Sequence, residues 1–575
     1  MNNAVESEAK RSGHPKGLYI LFATEMWERF NYYGMRSVLV LFMTKALLFD
    51  KAFASGLYGS YTSLVYLTPL IGGFIADKYW GNQRSIIAGG LMMALGELLM
   101  FFCGQTYASL PSTSALFFFC GLGMMIAGNG FFKPNISSLV GNLYPKRDRR
   151  VDAAYTIFYM GINVGGAIGP FVCGLVGDTG NPADFKWAFL AGAVGMLLSV
   201  LVQLAFAKQY VVDPDNNRLG VAPQGVSGIW TKPILILVGL FAFSVVAIGM
   251  LYIDAKLFTF LPYLLVIATL SIVGVIMADK SLTKKEKQRV SVIFIVAFFV
   301  VFFWSAFEQA GASLTFFADE QTNRHLGLSI PSWLIYPVAV IVLLLLGKLF
   351  LQTKQSMSDK RDSRLRITIF ALLALAAMAM MYGVVSVVTT GKDAFSLQDL
   401  PASTFQSLNS IFVISFAPLF AWLWLRLGKY EPTAPTKMAI GLLLLAIGYL
   451  WIAFGVKGVG TGMKVSMIWL IGMYALHTWG ELSLSPIGLS LVNKLSPVKF
   501  ASLLMAVWFL ANAFANYLAG TLSSLYPDHK TTSFLGYTMS NLYDFFMLFV
   551  VMAGIASVIL FALSKQLQKL MRGVK

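Results

Sequence analysis

Residues 23–36 read ATEMWERFNYYGMR, inside an apolar stretch that begins at Leu18 and runs on through SVLVLFM to Met43. On a helix, Glu25, Glu28, Arg29, Tyr32, Tyr33 and Arg36 recur at i, i+3, i+4, i+7, i+8 and i+11. That spacing puts them on one face, with Met26, Phe30 and Met35 opposite. A charged side chain at the middle of a bilayer costs about 2.5–3.5 kcal/mol on insertion scales. Four of them would cost on the order of 10 kcal/mol unless paired or wetted. The face therefore meets other charges or an aqueous cavity, not lipid. Two readings follow: a structural ladder of ion pairs, or a pathway for a solute or a proton.

Other charges in apolar runs weigh on that choice. Lys133 lies in GNGFFKPNISSLVG, where Pro134 predicts a kink or local opening of its helix. Glu308 lies in FFWSAFEQAGASL with Trp304 one turn earlier, and Glu481 lies in HTWGELSLSPIGLS with His477 one turn before. A structural ladder needs only neighbouring partners. Charges spread over both halves of the chain suit a central cavity that binds a polar or zwitterionic solute. Carboxylates near Arg or Lys can also gain and lose protons as the partner distance changes.

The elements that must position these residues are membrane helices. Of 575 residues, 57% are hydrophobic and 12% charged, against about 25% charged in soluble proteins. Apolar runs long enough to span recur from end to end, so the chain reads as an all-α polytopic membrane protein. Sixteen spans are expected, the first over 18–45 and the last over 543–568. The net charge of +17 has its cause in topology rather than in nucleic acid. KYWGNQR (78–84), YPKRDRR (144–150), DKSLTKKEKQR (279–289), QTKQSMSDKRDSRLR (352–366) and RLGKYEPTAPTK (426–437) all fall on one side. The loops opposite carry few bases and more acids. The positive-inside bias thus predicts an even number of spans, with both termini cytoplasmic, in the inner or plasma membrane of the cell. Residues 1–16 are polar and the first apolar run is long enough to span, so no cleavable signal is expected. Cys103, Cys120 and Cys173 form neither a disulfide framework nor a metal spacing. No metal-ligand cluster, nucleophile elbow, phosphate-cradling loop or Ser/His/Asp constellation is visible, which argues against an enzyme.

Glu25-x-x-Glu28-Arg29-Phe30-x-Tyr32-Tyr33-Gly34 resembles the first-helix signature of the proton-dependent oligopeptide transporters, a branch of the major facilitator superfamily. GGFIADKYWGNQR (72–84) resembles that family's loop between helices 2 and 3, and KPNISSLVG (133–141) its fourth-helix motif. FYMGINVGG (158–166) resembles its fifth-helix signature F-Y-x-x-I-N-x-G-S, with Gly166 in place of the Ser. FWSAFEQ (303–309), FQSLN (405–409), GELSLSPIGL (480–489) and MAVWFL (505–510) resemble the C-terminal half. A lone ExxER would be weak; the ordered set is specific.

The resemblance implies a major facilitator fold of two six-helix bundles, alternating access, and symport of di- and tripeptides with protons. The expected divisions are a tail (1–16), an N-terminal bundle (17–207), a linker with an inserted helical hairpin (208–288) and the first helix of the C-terminal bundle with its loop (289–331). A second inserted hairpin (332–389) and the remainder with a cytoplasmic tail (390–575) follow. The second hairpin departs from the family pattern; packing, oligomer contact and regulation are all open as its role.

The resemblance also implies roles. Arg36 and Lys133 suit the peptide carboxylate, Arg as a bidentate fork and Lys as a point charge. Glu481 suits the ammonium. Tyr33, Tyr66, Asn163 and Asn409 match positions that hydrogen-bond the peptide, and Trp304 and Trp508 would shape side-chain pockets. Without the family, the aromatics read equally as core and Asn163 as interhelical glue. Glu25, Glu28, Arg29 and Lys133, with Glu308, are expected to couple the proton. Arg36–Glu308 is expected to pair across the bundles on the outer side and Lys133–Glu481 on the inner side. His477 is either a titrating group or a hydrogen-bonding spacer; His14, His325 and His529 fall in tails or loops. Expected partners are di- and tripeptides, protons and lipid, with a monomer expected and an oligomer as the alternative. No cofactor and no metal are expected, protons being the coupling ion. Alternatives are a transporter of nitrate or a modified amino acid on the same scaffold and, more distantly, a channel or membrane enzyme.

Overall fold

The computed structural model describes residues 13–571 apart from 146–147, 149, 223–232, 258–259, 332–393, 461 and 529. The hairpin expected over 332–389 lies outside the described residues.

Fourteen long helices are described. The first six are α1 (Lys16–Lys45), α2 (Lys51–Ile75), α3 (Asn82–Thr106), α4 (Pro111–Asn142), α5 (Arg150–Gly177) and α6 (Phe185–Val202). A hairpin of α7 (Pro233–Leu257) and α8 (Phe260–Ala278) follows. The second set of six is α9 (Lys284–Phe307), α10 (Ser407–Leu427), α11 (Ala434–Val456), α12 (Met467–Leu495), α13 (Ala501–Ser523) and α14 (Leu542–Leu570). Local chemistry sets several starts. The Asp50 carboxylate accepts from Ala52 N at 3.0 Å at the head of α2. Thr283 and Glu286 form a reciprocal capping box at the head of α9. Between α2 and α3, Gly81 takes a φ of +78°, which a residue without Cβ adopts freely.

The two sets pack alike. In the first, α3 lies on α4 and α6, α1 on α5 and α6, and α2 on α4; in the second, α11 lies on α12 and α14, α9 on α13 and α14, and α10 on α12. Matching α1–α6 with α9–α14 in order makes every one of these pairs correspond. The seams between the bundles, α2 on α13 and α5 on α10, exchange under the same matching. This is a twofold structural repeat, common in transporters.

Ion pairs and hydrogen bonds sort the helix ends. Lys45 pairs with Asp319 at 2.7 Å, Lys51 with Glu320 at 2.6 Å and Asp528 at 2.8 Å. Opposite them, Lys499 pairs with Asp279 at 2.6 Å, His14 bonds Tyr144 at 2.8 Å, and Gln83 N donates to Gly220 O at 3.0 Å. The second group lies among the basic loops, with the start of α1 beside one of them. There Lys499 holds the Asp279 carboxyl well below the usual carboxylate range by donating to it. Short two-stranded ribbons decorate the other side, among them His325–Pro331 with Ala394–Asp399.

Two expectations are corrected. α4 runs unbroken through Pro134, so the helix is not opened there. The first helix of the C-terminal bundle, expected within 289–331, is interrupted: a 3-10 turn at Glu308–Gly311 separates α9 from a short helix, Ser313–Glu320. A Cβ on Gly311 would lie 1.7 Å from the Tyr58 hydroxyl, so the turn bends around a side chain of α2.

The inserted hairpin is anchored to both bundles. α7 packs on α4 and α2, and α8 on α13. Asp254, fully buried near the end of α7, accepts from Leu261 N at 3.0 Å and from the Ser60 hydroxyl of α2.

Candidate functional site

The polar face of α1 turns inward. Glu25, Glu28, Arg29 and Arg36 are all buried within the protein. Arg29 Nε lies 2.8 Å from Glu25 Oε1 and 3.1 Å from Glu28 Oε2. Asn129 of α4 donates to Glu28 Oε1 at 3.1 Å. Lys133 stands one turn beyond Asn129 on the same face of α4, which brings it beside the carboxylates.

Lys133 itself makes no ion pair among the described residues. Its ammonium sits 4.3 Å from the centre of the Tyr66 ring, a cation–π contact. Arg36 is committed elsewhere. It pairs with Glu308, at the break between α9 and the short helix, and lies 5.8 Å and 5.9 Å from the Tyr33 and Tyr58 ring centres. This pair joins the bundles at the side away from the basic loops.

Glu481 approaches from α12. It accepts from Asn409 Nδ2 of α10 at 2.8 Å, and the same amide reaches Thr478 Oγ1 at 3.2 Å. No cation pairs with Glu481 among the described residues. The expected contact between Lys133 and Glu481 is therefore not formed here. Its absence has a geometric cause: α4 and α5 do not pack on α12 and α13. Lys133 and Glu481 are thus unjoined across the space between the bundles, while the Arg36–Glu308 pair joins the bundles on the other side. Tyr33, Tyr66, Lys133, Trp304 and Asn409 are each half-buried amid a buried core, as groups lining such a space would be.

The remaining expected residues are placed as follows. Asn163 donates to Tyr159 O one turn back in its own helix, at 2.9 Å, so that hydrogen is spent locally. Trp304 packs edge-on against Phe303 and Phe307. Trp508 is buried and lies against Gly488, where a Cβ would come within 2.2 Å of its ring. His477 is buried between Tyr449 and Phe307, with ring centres 4.7 Å and 6.2 Å away.

Two buried carboxyls inside apolar runs escaped the sequence reading. Glu97, in MALGELLMFF, accepts from Asn31 at 2.9 Å on the side of α1 away from the stripe. Asp254, in MLYIDAKLF, anchors the hairpin. Each is a single acid in an apolar run, the same signal that exposed Glu308, and it should have drawn the same attention.

Among known proteins, the sequence model of the POT family matches residues 83–398 and 394–540. The chain is similar to the uncharacterized transporter YclF of Bacillus subtilis (strain 168), 30% identical over 98% of this chain and 96% of that one. It is also similar to the peptide transporter YePEPT of Yersinia enterocolitica subsp. palearctica, 30% identical over 89% and 88% of the two chains. A crystal structure of a mutant peptide transporter POT in complex with alafosfalin superposes with a TM-score of 0.71 at 28% identity, covering 98% of this chain and 97% of that one.

Proposed function

The chain belongs to the POT family of membrane transporters, and from that premise we propose that it is a symporter importing di- and tripeptides together with protons by alternating access. One observation carries the reading. Across the space between the bundles, one wall offers a cation in no direct ion pair, Lys133 over Tyr66. The other offers an anion without a cation, Glu481 held by Asn409. A zwitterion with a carboxylate at one end and an ammonium at the other complements that pair. An inorganic anion would leave Glu481 unanswered, which disfavours nitrate.

Side chains of the cargo need no dedicated charge, so the grip rests on the two termini, and many peptides fit. With the basic loops in the cytoplasm, the arrangement corresponds to a state open to the cell interior, with Arg36–Glu308 closing the outer side. In the opposite state Lys133 and Glu481 would meet and Arg36 would part from Glu308. The carboxylates Glu25 and Glu28 compete with the peptide for nearby cations. A proton arriving on one of them releases Lys133 to the substrate.

The test is uptake of labelled dialanine by purified protein in liposomes under an inward proton gradient. The expected result is concentrative uptake, collapsed by a protonophore and lost in Glu481→Gln. No uptake by the native chain, in vesicles shown to hold folded protein, would move the reading to another solute on the same scaffold.

A further inference from the structure

On the α5–α10 seam, Gly166 faces the other bundle. A Cβ there would lie 2.4 Å from the Ser410 hydroxyl oxygen and 3.2 Å from the Tyr33 ring. The bare glycine thus leaves room for the Ser410 hydroxyl of α10 and the Tyr33 ring of α1. Ser410 is 6% exposed, yet no described residue hydrogen-bonds its hydroxyl. Ser415, further along α10, shows the usual alternative by donating to the carbonyl one turn back at 2.8 Å. The Ser407 hydroxyl, three residues earlier, is enclosed without a partner; that of Ser410 is not enclosed, which leaves it open to a partner from outside the protein.

Its neighbours indicate what that is. Asn409, adjacent in the chain, donates to Glu481, the group read above as the ammonium site. Tyr33, against Gly166, belongs to the polar face of α1 and lies 5.8 Å from the Arg36 guanidinium. Ser410 is thus one residue along α10 from the ammonium site, and the group of a peptide next to its ammonium end is the first amide.

We propose that Ser410 contacts the substrate, its hydroxyl hydrogen-bonding the backbone amide of a bound peptide. The inference rests on the peptide reading and deepens it. The geometry also explains the glycine that ends FYMGINVGG, where the similar family signature ends in serine. The hydroxyl of that neighbourhood is supplied from the opposite wall, and a second one on α5 would collide with it.

The experiment compares two zwitterions of similar length in the same vesicles: dialanine, and 5-aminopentanoate, which lacks the amide. In Ser410→Ala, the half-saturating concentration of dialanine is expected to rise about three- to tenfold, the size of one neutral hydrogen bond. Inhibition of uptake by 5-aminopentanoate should stay as in the native chain. Gly166→Ser should lose uptake, and Gly166→Ser combined with Ser410→Gly should recover it by returning the hydroxyl to α5. Native-like dialanine affinity in Ser410→Ala would overturn the inference and leave the peptide reading standing. An equal loss for both zwitterions would reduce Ser410 to a packing role. Absence of dialanine uptake by the native chain would overturn both.

Discussion

Arg29 holds two carboxylates on one nitrogen, Glu25 at 2.8 Å and Glu28 at 3.1 Å, so the trio is one negative charge in excess. Lys133 is the cation within reach that has no other ion partner among the described residues. Protonating either carboxylate makes the trio neutral and frees Lys133. Glu25→Gln or Glu28→Gln imitates the protonated form permanently and should uncouple transport. Accumulation driven by a proton gradient is expected to fall to the level of a protonophore-treated control, while peptide exchange at equal pH persists. Full concentrative uptake by the double Gln variant would refute this role. The stripe was legible because intramembrane charge is expensive and its spacing is helical. The partners were legible only through the resemblance, since nothing in the spacing says that Arg36 meets a residue as distant as Glu308. Nor could the sequence say that Lys133 rests on Tyr66 instead of reaching Glu481; that depends on which end of the molecule is open.

The elements were legible where apolar length marks them, as in the body of α9, though the Thr283–Glu286 cap starts that helix before the expected boundary at 289. They were not where the cause is a neighbour. The turn after α9 depends on Tyr58 of α2 seated against Gly311, a contact between positions far apart in the chain. Pro134 does not open α4, which stays continuous across it. The anchor of the α7–α8 hairpin likewise depends on a distant partner. Asp254 accepts from Ser60 of α2 and from Leu261 N, fixing the hairpin where α2 passes α13. Asp254→Ala would leave both donors buried and unanswered, at about 1–3 kcal/mol each. The thermal unfolding midpoint of the purified protein is expected to fall. Asp254→Asn, which keeps an accepting oxygen, should fall less. An unchanged midpoint in Asp254→Ala would show that the hairpin is held by apolar packing alone.

At the scale of the molecule, the two bundles repeat one packing pattern, so the seams α2–α13 and α5–α10 are equivalent under the repeat. The sequence carried the helices but hid this symmetry, because packing pairs survive when residues do not. Between the seams the charges can be weighed together. Glu25 and Glu28 are balanced by Arg29 and Lys133, and Arg36 by Glu308, which leaves Glu481 as one negative charge in excess. A zwitterionic peptide adds none. One proton therefore makes the loaded site neutral, and a second would restore an uncompensated charge to a low-dielectric interior at a cost of several kcal/mol. The expected coupling is one proton per neutral peptide. In liposomes at equal pH, the membrane potential that just halts net peptide flux should then shift by about 59 mV for each tenfold change in the peptide gradient. A shift of half that size would mean two protons, and would place a second titrating carboxyl in the cycle; Glu97, buried beside Asn31, would be the first to replace by Gln.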